Sequence, residues 1–598
     1  MHTFHIPVLG ISYTVDSPLK VAQYGISSVV SIIEDELLEK MRAYHSLKNG
    51  KEYTPITTKE ADYRGKRITA YLNMMQTLVN EQISSLRDME FDGHNKLSRY
   101  FEMLPDSAPL HAAYKAMMLL PDSAGKIQAQ QALRARITPG AIDVNIMAKV
   151  DNLKYADDGT ALPAEFSDAS SALRGFAQSE LTSSLVLSAG YNPRLYNYIE
   201  AFPDFMPDEN GYLKKKIILK VSDFRSASIQ GKLLAKKGVW ISEFRIESGL
   251  NCGGHAFATD GFLLGPILEE FKQKKESLAA ELLQICNSAN ERKGKPVFAA
   301  PPMQRITVQG GIGTAKEDEF LMSYYQLDGT GWGSPFLLVP EATNVDEHTL
   351  NDLATASKED YYLSEASPLG VPFHNFSKST SEQQRNERLI KGRPGSPCFK
   401  KYLATDTEFS VTPICTASRE YQHLKLKQLK EQDMPADAYE AAVKRITEKD
   451  CLCEGLSSAV LLKDGINLSH GLSAVTICPG PNLAYFSGIH SLQDMVDHIY
   501  GRKNLLNSVN RSNMFINELT LYVDHLKKEL GKCSDNLNKK QQDFFVSFRS
   551  NLQNGINYYK ELLPNLKKET EQYLSRMLEE LEQYQLTINT ILPVPAQH

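Results

Sequence analysis

Short apolar runs rich in β-branched residues recur through the first half of this 598-residue chain, most of them separated by helix-length stretches. Ile6-Pro7-Val8-Leu9-Gly10-Ile11 is followed by Asp16-Ser17-Pro18, a helix start with proline just inside. A helix over residues 19–25 and a second strand over 26–32 then complete a parallel strand–helix–strand unit. The rhythm resumes at Ala141-Ile142-Asp143-Val144-Asn145-Ile146-Met147 and continues with strands expected over 184–188, 216–221, 238–242, 296–300 with 306–308, and 330–332. A helix fills residues 264–290. Strands alternating with helices in this way favour an α/β barrel or a doubly wound sheet.

Three segments break the rhythm. From about residue 34 to 138 long amphipathic stretches replace the strands, which reads as a helical insertion. Residues 350–500 are punctuated by Gly, Pro and Ser and hold five of the eight cysteines, between Cys398 and Cys478. From about 505 to 592 apolar residues fall at helical spacing (Phe515, Leu519, Tyr522, Leu526), with Pro564 and the polar stretch near Ser534 as separators. The expected layout is an α/β chain built on a (β/α)₈ TIM barrel over 1–350, its helical insertion at about 36–138. A lid and Cys-containing extension over 351–500 and a C-terminal helical hairpin or bundle over 501–598 follow.

A net charge of −6 supplies no basic face for nucleic acid. The N-terminus, Met1-His2-Thr3-Phe4-His5-Ile6-Pro7, has neither the basic nor the apolar region of a secretory signal, and apolar runs such as 336–339 are too short to span a membrane. Eight cysteines in so long a chain read as reduced thiols. The expectation is a soluble cytoplasmic protein with no membrane or nucleic-acid partner.

Two glycine elements close the barrel region. Gln309-Gly310-Gly311-Ile312-Gly313-Thr314 ends a strand and precedes a helix beginning near Lys316, and Gly333-Ser334-Pro335-Phe336 follows the next strand. In a barrel, the loops after the last two strands form a phosphate site, because glycine admits close approach and free amides offer positive charge. The bland alternative is a pair of ordinary turns. A third element, Asn251-Cys252-Gly253-Gly254-His255, places an imidazole in a loop after a strand. His255 there is either a proton-transfer group or a satisfied structural residue.

Taken in order, these elements resemble the FMN-dependent barrel family of nitronate monooxygenases and flavin-type enoyl-acyl-carrier-protein reductases. Pro7-Val8-Leu9-Gly10-Ile11 matches the Pro-rich first strand and its loop over the flavin, and Val144-Asn145-Ile146-Met147 the Val-Asn strand. Ser188-Ala189-Gly190-Tyr191-Asn192-Pro193 matches a small-residue strand end with Gly-Asn-Pro, and Lys220 a strand-terminal lysine. Gly253-Gly254-His255, Gly310-Gly311-Ile312 and Gly333-Ser334-Pro335-Phe336 match its Gly-Gly-His, Gly-Gly-Ile and phosphate motifs. Ser367-Pro368-Leu369-Gly370-Val371-Pro372 matches its lid. The likeness runs from about residue 6 to 488, interrupted by an insertion longer than usual for the family, and Ser334-Pro335 replaces the family's Thr-Arg.

The resemblance implies an FMN-dependent oxidoreductase acting on a small-molecule or acyl substrate, with NAD(P)H as a transient electron donor. Gly10, Ile11, Asn145, Lys220, Cys252, Gly253 and Gly254 would contact the flavin, Gly310, Gly311, Gly333 and Ser334 its phosphate, and His255 would be catalytic. Two rivals stand: a non-redox phosphate-binding lyase or isomerase on the same barrel, and an inactive flavin-binding assembly protein. Cys398, Cys415, Cys451 and Cys453 could hold zinc or an iron–sulfur cluster. The Cys-x-Cys pair and wide spacings favour plain buried thiols, so no metal is expected. The C-terminal apolar stripe offers a face to cover the barrel or to pair with a second copy.

Overall fold

The structure, a computed structural model, describes residues 1–148, 150–155, 159–188, 190–251, 260–532 and 537–591. Eight strands close into one barrel in chain order: β1 Phe4–Ile6, β2 Ser27–Ser31, β3 Ile142–Ile146, β4 Ser183–Leu187, β5 Lys215–Val221, β6 Ile241–Glu247, β7 Arg305–Gln309 and β8 Gly329–Gly331. Every pairing in the ring is parallel, and β1 meets β8 with His5 opposite Gly331. The (β/α)₈ barrel with appended helices is therefore the fold.

Alternation decides which way each residue faces. Val144, Leu185, Leu219, Phe244, Ile246 and Val308 belong to the large core between strands and surrounding helices. Inside the ring Val29, Val186 and Ile218 form a separate small cluster with Val8 packed on it. The rest of the interior is polar, with a charged cluster at its centre. Arg245 is 2% exposed and reaches both Glu243 (2.8 Å) and Asp143 (3.2 Å), while Thr307 donates to Glu243 at 2.7 Å. Burial works against charge here, yet Arg245 and Arg305 hold the Glu243 carboxyl down at about 2.

Several strand boundaries differ from the sequence expectation for physical reasons. β1 stops at Ile6 because Pro7 has no amide to give, and Gly10 turns the chain at φ +58°, so residues 7–11 run over the mouth. β6 begins late, at Ile241, because Gly238 is in a left-handed turn (φ +81°), and it then runs on to Glu247. Residues 296–300 are not a strand. The Asn287 amide both accepts from the Phe298 N–H (3.0 Å) and donates to its carbonyl (2.9 Å), and the Phe298 ring packs against Trp240.

The insertion is helical as expected, with Asp35–Lys48, Tyr63–Asp88, Lys96–Glu102, Pro109–Met118 and Ala124–Ala135 between β2 and β3. Its long helix buries Ile68, Tyr71, Leu72, Met75 and Val79, the spacing of one helix face, against the helix Asp168–Ala177. A β-carbon on Gly175 would come 2.7 Å from Ile68, so glycine permits that approach.

Residues 350–500 are more regular than the sequence suggested. They contain an antiparallel hairpin, β9 Tyr361–Ser364 with β10 Phe373–Phe376, and several helices. The C-terminal helices Met514–Gly531 and Lys539–Leu562 pack on Leu264–Arg292, Glu571–Ile591 packs on those two, and all three share the barrel's core. No helix among the described residues is long and apolar enough to cross a membrane.

Candidate functional site

Parallel strands direct all their C-terminal ends to one side, where barrels gather reactive groups. A cavity of about 260 Å³ lies there. Its floor is polar: Asn145 from β3, Ser188 just past β4, Lys220 from β5, Glu247 from β6, and Asn251. Val8, Gly10 and Ile11 form one wall, Tyr402, Leu403, Leu452, Cys453 and Leu456 another, and Leu369, Val371 and Phe373 reach in from the hairpin.

The floor is one alternation step above the charged barrel interior: Asn145 follows Asp143, Glu247 follows Arg245 and Gln309 follows Thr307 along their strands. One oxygen of Glu247 accepts from Lys220 Nζ (3.2 Å), Gln309 Nε2 (2.9 Å) and Asn251 Nδ2 (3.2 Å). Beyond Gln309 stands His5, whose Nε2 is 3.4 Å from the Gln309 side-chain oxygen. Burial drives the His5 imidazole down to about 3, so it is neutral. Among the described residues, the buried Asn145 Oδ1 and Ser188 Oγ have no hydrogen-bond partner.

The first-strand loop is fixed from outside the barrel. Ser12 N donates to Leu456 O at 2.9 Å, and Tyr13 Oη to Thr476 O at 2.7 Å. A β-carbon on Gly10 would come 2.8 Å from the Tyr13 ring. The roof is the turn between β9 and β10, residues 365–372, and Thr416 Oγ1 donates to Pro368 O at 3.1 Å.

Of the residues nominated by sequence, the structure brings Gly10, Ile11, Asn145 and Lys220 to this one cavity, with Leu369 and Val371 of the lid motif. Cys252, Gly253, Gly254 and His255 lie outside the described residues. Gly310, Gly311, Gly333 and Ser334 stand at the ends of β7 and β8 and are not part of the cavity lining.

Their surroundings are specific. Gly310 and Gly311 have φ of +104° and +80°, and β-carbons there would come 2.8 Å from Asn251 Cα and 2.7 Å from Leu250 Cδ1. The start of the helix Ala315–Tyr324 is capped by the chain itself. Thr314 Oγ1 accepts from Glu317 N (3.1 Å), and the Glu317 carboxylate accepts from Gly313 N (2.9 Å), Met514 N (2.8 Å) and Arg511 Nη1 (2.7 Å). Arg511 also donates to Gly311 O at 2.7 Å, and Asn482 to Ile312 O at 2.7 Å. The helix end that the glycine pattern offered to a phosphate thus already holds a carboxylate.

Glu247 escaped the sequence reading, and Gln309, Asn251 and Ser188 stand in motifs named there without being assigned to the site. Glu247 and Gln309 could have been found by carrying the period of two past Arg245 and Thr307. Asn251 and Ser188 sit in loops with no periodic signal.

Fold and site define an eight-stranded parallel α/β barrel with a roofed, polar-floored cavity at its mouth. No protein-family model and no curated protein matches the chain. Among solved structures it is similar to the enoyl reductase domain of MlnA from the macrolactin biosynthesis cluster of Bacillus amyloliquefaciens. That likeness has 13% identity, covers 71% of this chain and 89% of that one, and has a TM-score of 0.33. It is too distant to carry any conclusion about chemistry.

Proposed function

We propose that this protein is an FMN-dependent oxidoreductase acting on a small or acyl substrate, with the flavin ring in the mouth cavity. The observation that supports this reading is convergence: Gly10, Ile11, Asn145 and Lys220, drawn from separate motifs, line one cavity beneath Leu369 and Val371. The barrel itself brings the ends of β1, β3 and β5 to the mouth; Leu369 and Val371 reach the same cavity from the hairpin outside it.

The residues fit a flavin ring. Asn145 Oδ1 and Ser188 Oγ are buried without described partners, a state that costs about 1–3 kcal/mol per group unless a ligand satisfies it. A flat ring that presents an imide N–H flanked by carbonyl groups suits both. Lys220, steadied by Glu247, brings a cation to the same floor, and the apolar wall and roof exclude water. When bound, FMN would supply the hydride chemistry, leaving the protein to hold, orient and shield it. The motif likeness would place its phosphate at the rim of Gly310, Gly311, Gly333 and Ser334, without the neighbouring helix end, which Glu317 occupies. NAD(P)H would act as transient donor, and His255 as the proton-transfer group.

Heat or acid denaturation of the purified protein should release about one equivalent of FMN, read by absorbance and chromatography. A colourless protein that takes up no FMN on incubation would reject this reading and favour a non-redox barrel.

A further inference from the structure

The hairpin of β9 and β10 has two sides. Its register pairs Leu363 with His374 and Tyr361 with Phe376, and alternation puts these four side chains on one face and Phe373 on the other. Phe373 lines the mouth cavity. Tyr361 and His374 instead border a second cavity of about 240 Å³, bounded also by Pro479-Gly480-Pro481 and the helix Met514–Gly531. A third cavity, of about 180 Å³, continues along that helix and shares Tyr361, Pro481, Leu521 and Asp524 with the second. It reaches Leu250, and the next residue, Asn251, belongs to the mouth-cavity floor. Two single-residue steps, Phe373 to His374 and Leu250 to Asn251, separate this groove from the mouth.

The groove carries unsatisfied polar groups. Among the described residues, Tyr361 Oη and His374 Nε2 are buried and have no hydrogen-bond partner, and both side chains border the same cavity. His374 is 6% exposed, and burial brings its imidazole down to about 4, so the ring is neutral. A phenol and a neutral imidazole can each give and take hydrogen bonds at the edge of a heteroaromatic ring. The Tyr361 ring is braced by Phe376, stacked at 5.5 Å, and Pro479 and Pro481 add apolar walls. Asp524, shared by the two cavities, has a loose pair with Lys527 at 3.7 Å and no closer cation among the described residues. Lys358, exposed and in no ion pair among the described residues, lines the cavity that reaches Leu250.

We propose that this groove binds the adenosine-diphosphate half of the nicotinamide donor and selects NADH over NADPH, an assignment that rests on the flavin reading for its nicotinamide end. Adenine takes the inner cavity, where its ring nitrogens and amino group satisfy Tyr361 and His374. The adjoining ribose falls at Asp524, whose carboxylate accepts from a 2′,3′-diol and repels a 2′-phosphate. The diphosphate lies toward Lys358, and the remaining ribose passes Leu250 into the mouth. Ring-binding pair, carboxylate, cation and mouth thus follow the order of adenine, ribose, diphosphate and nicotinamide along the dinucleotide. An acyl chain in the same groove would leave both unpartnered groups unsatisfied.

The test titrates the full-length FMN-loaded protein calorimetrically with ADP-ribose, which has no redox chemistry, and with 2′-phospho-ADP-ribose. ADP-ribose should bind and compete with NADH, and at low salt the 2′-phosphorylated form should bind at least ~10-fold more weakly. Asp524→Asn, which keeps hydrogen bonding and removes the charge, should bring the two within ~2-fold of each other. Tyr361→Phe and His374→Leu should each weaken ADP-ribose ~3-fold or more while retaining FMN, which also shows that they fold. Photolabelling with 8-azido-ADP-ribose should mark peptides within 361–376 and 479–485. No ADP-ribose binding by the FMN-loaded protein, equal affinity for the two forms, or label confined to other peptides would overturn the proposal. ADP-ribose bound at these peptides by a protein that never takes up FMN would support the site and reject the flavin reading instead.

Discussion

Glu518 accepts a hydrogen bond from the Leu264 amide at 2.8 Å, while its other carboxylate oxygen accepts from Ser248 Oγ at 2.8 Å and Gly249 N at 2.9 Å. One carboxylate on a C-terminal helix therefore ties the end of β6 to the start of the helix Leu264–Arg292.

Glu518→Ala should lower stability by at least ~2 kcal/mol, since three donors in a buried site lose their acceptor. Burial holds this carboxyl above its ordinary range. The folded state thus binds the proton more tightly than the unfolded one. Its contribution is greatest below the ordinary carboxylate pKa and is lost as pH rises through the raised value. Urea unfolding between pH 4 and 8 should show that decline in the native protein and not in Glu518→Gln.

Gly311→Ala should destabilise the protein by ~1–3 kcal/mol even without any ligand, because φ is +80° and the new methyl would press on Leu250. Thermal unfolding of the flavin-free protein measures it. Stability equal to the native chain would show that the rim adjusts freely.

Lys220→Met should weaken FMN binding ~10-fold or more by removing the floor's cation, as read by fluorescence titration. By contrast, His255→Ala should retain the flavin and lower substrate turnover by at least ~10²-fold, the range for a positioned proton-transfer group. Equal turnover would return His255 to a structural role.

Arg245→Met leaves Asp143 and Glu243 buried without their shared cation, a loss of ~3–5 kcal/mol at neutral pH. Both carboxyls can then escape charge by taking protons, so the deficit relative to the native protein should shrink as pH falls toward 5. A deficit independent of pH would mean that Arg245 acts through packing alone.

The barrel was legible because parallel strands buried on both faces leave runs such as Ile142–Ile146 with little else to become. Asn145 and Lys220 were legible through motif order. What escaped depended on tertiary contact: Phe298 looks like strand material until Asn287 claims its backbone, and Glu317 looks like a surface helix residue until Arg511 arrives from nearly two hundred positions away.

The bonds from Arg511 to Gly311 and Glu317 carry a consequence for synthesis. As the chain leaves the ribosome, β8 is complete about 180 residues before Arg511 emerges. During that interval the nascent barrel carries Glu317 without its cation and β6 without the Glu518 clasp. Ribosome-bound chains halted shortly after β8 would then expose the rim to proteases, and protection would come only with the helix Met514–Gly531. The last helices thus serve as the closing step of barrel maturation.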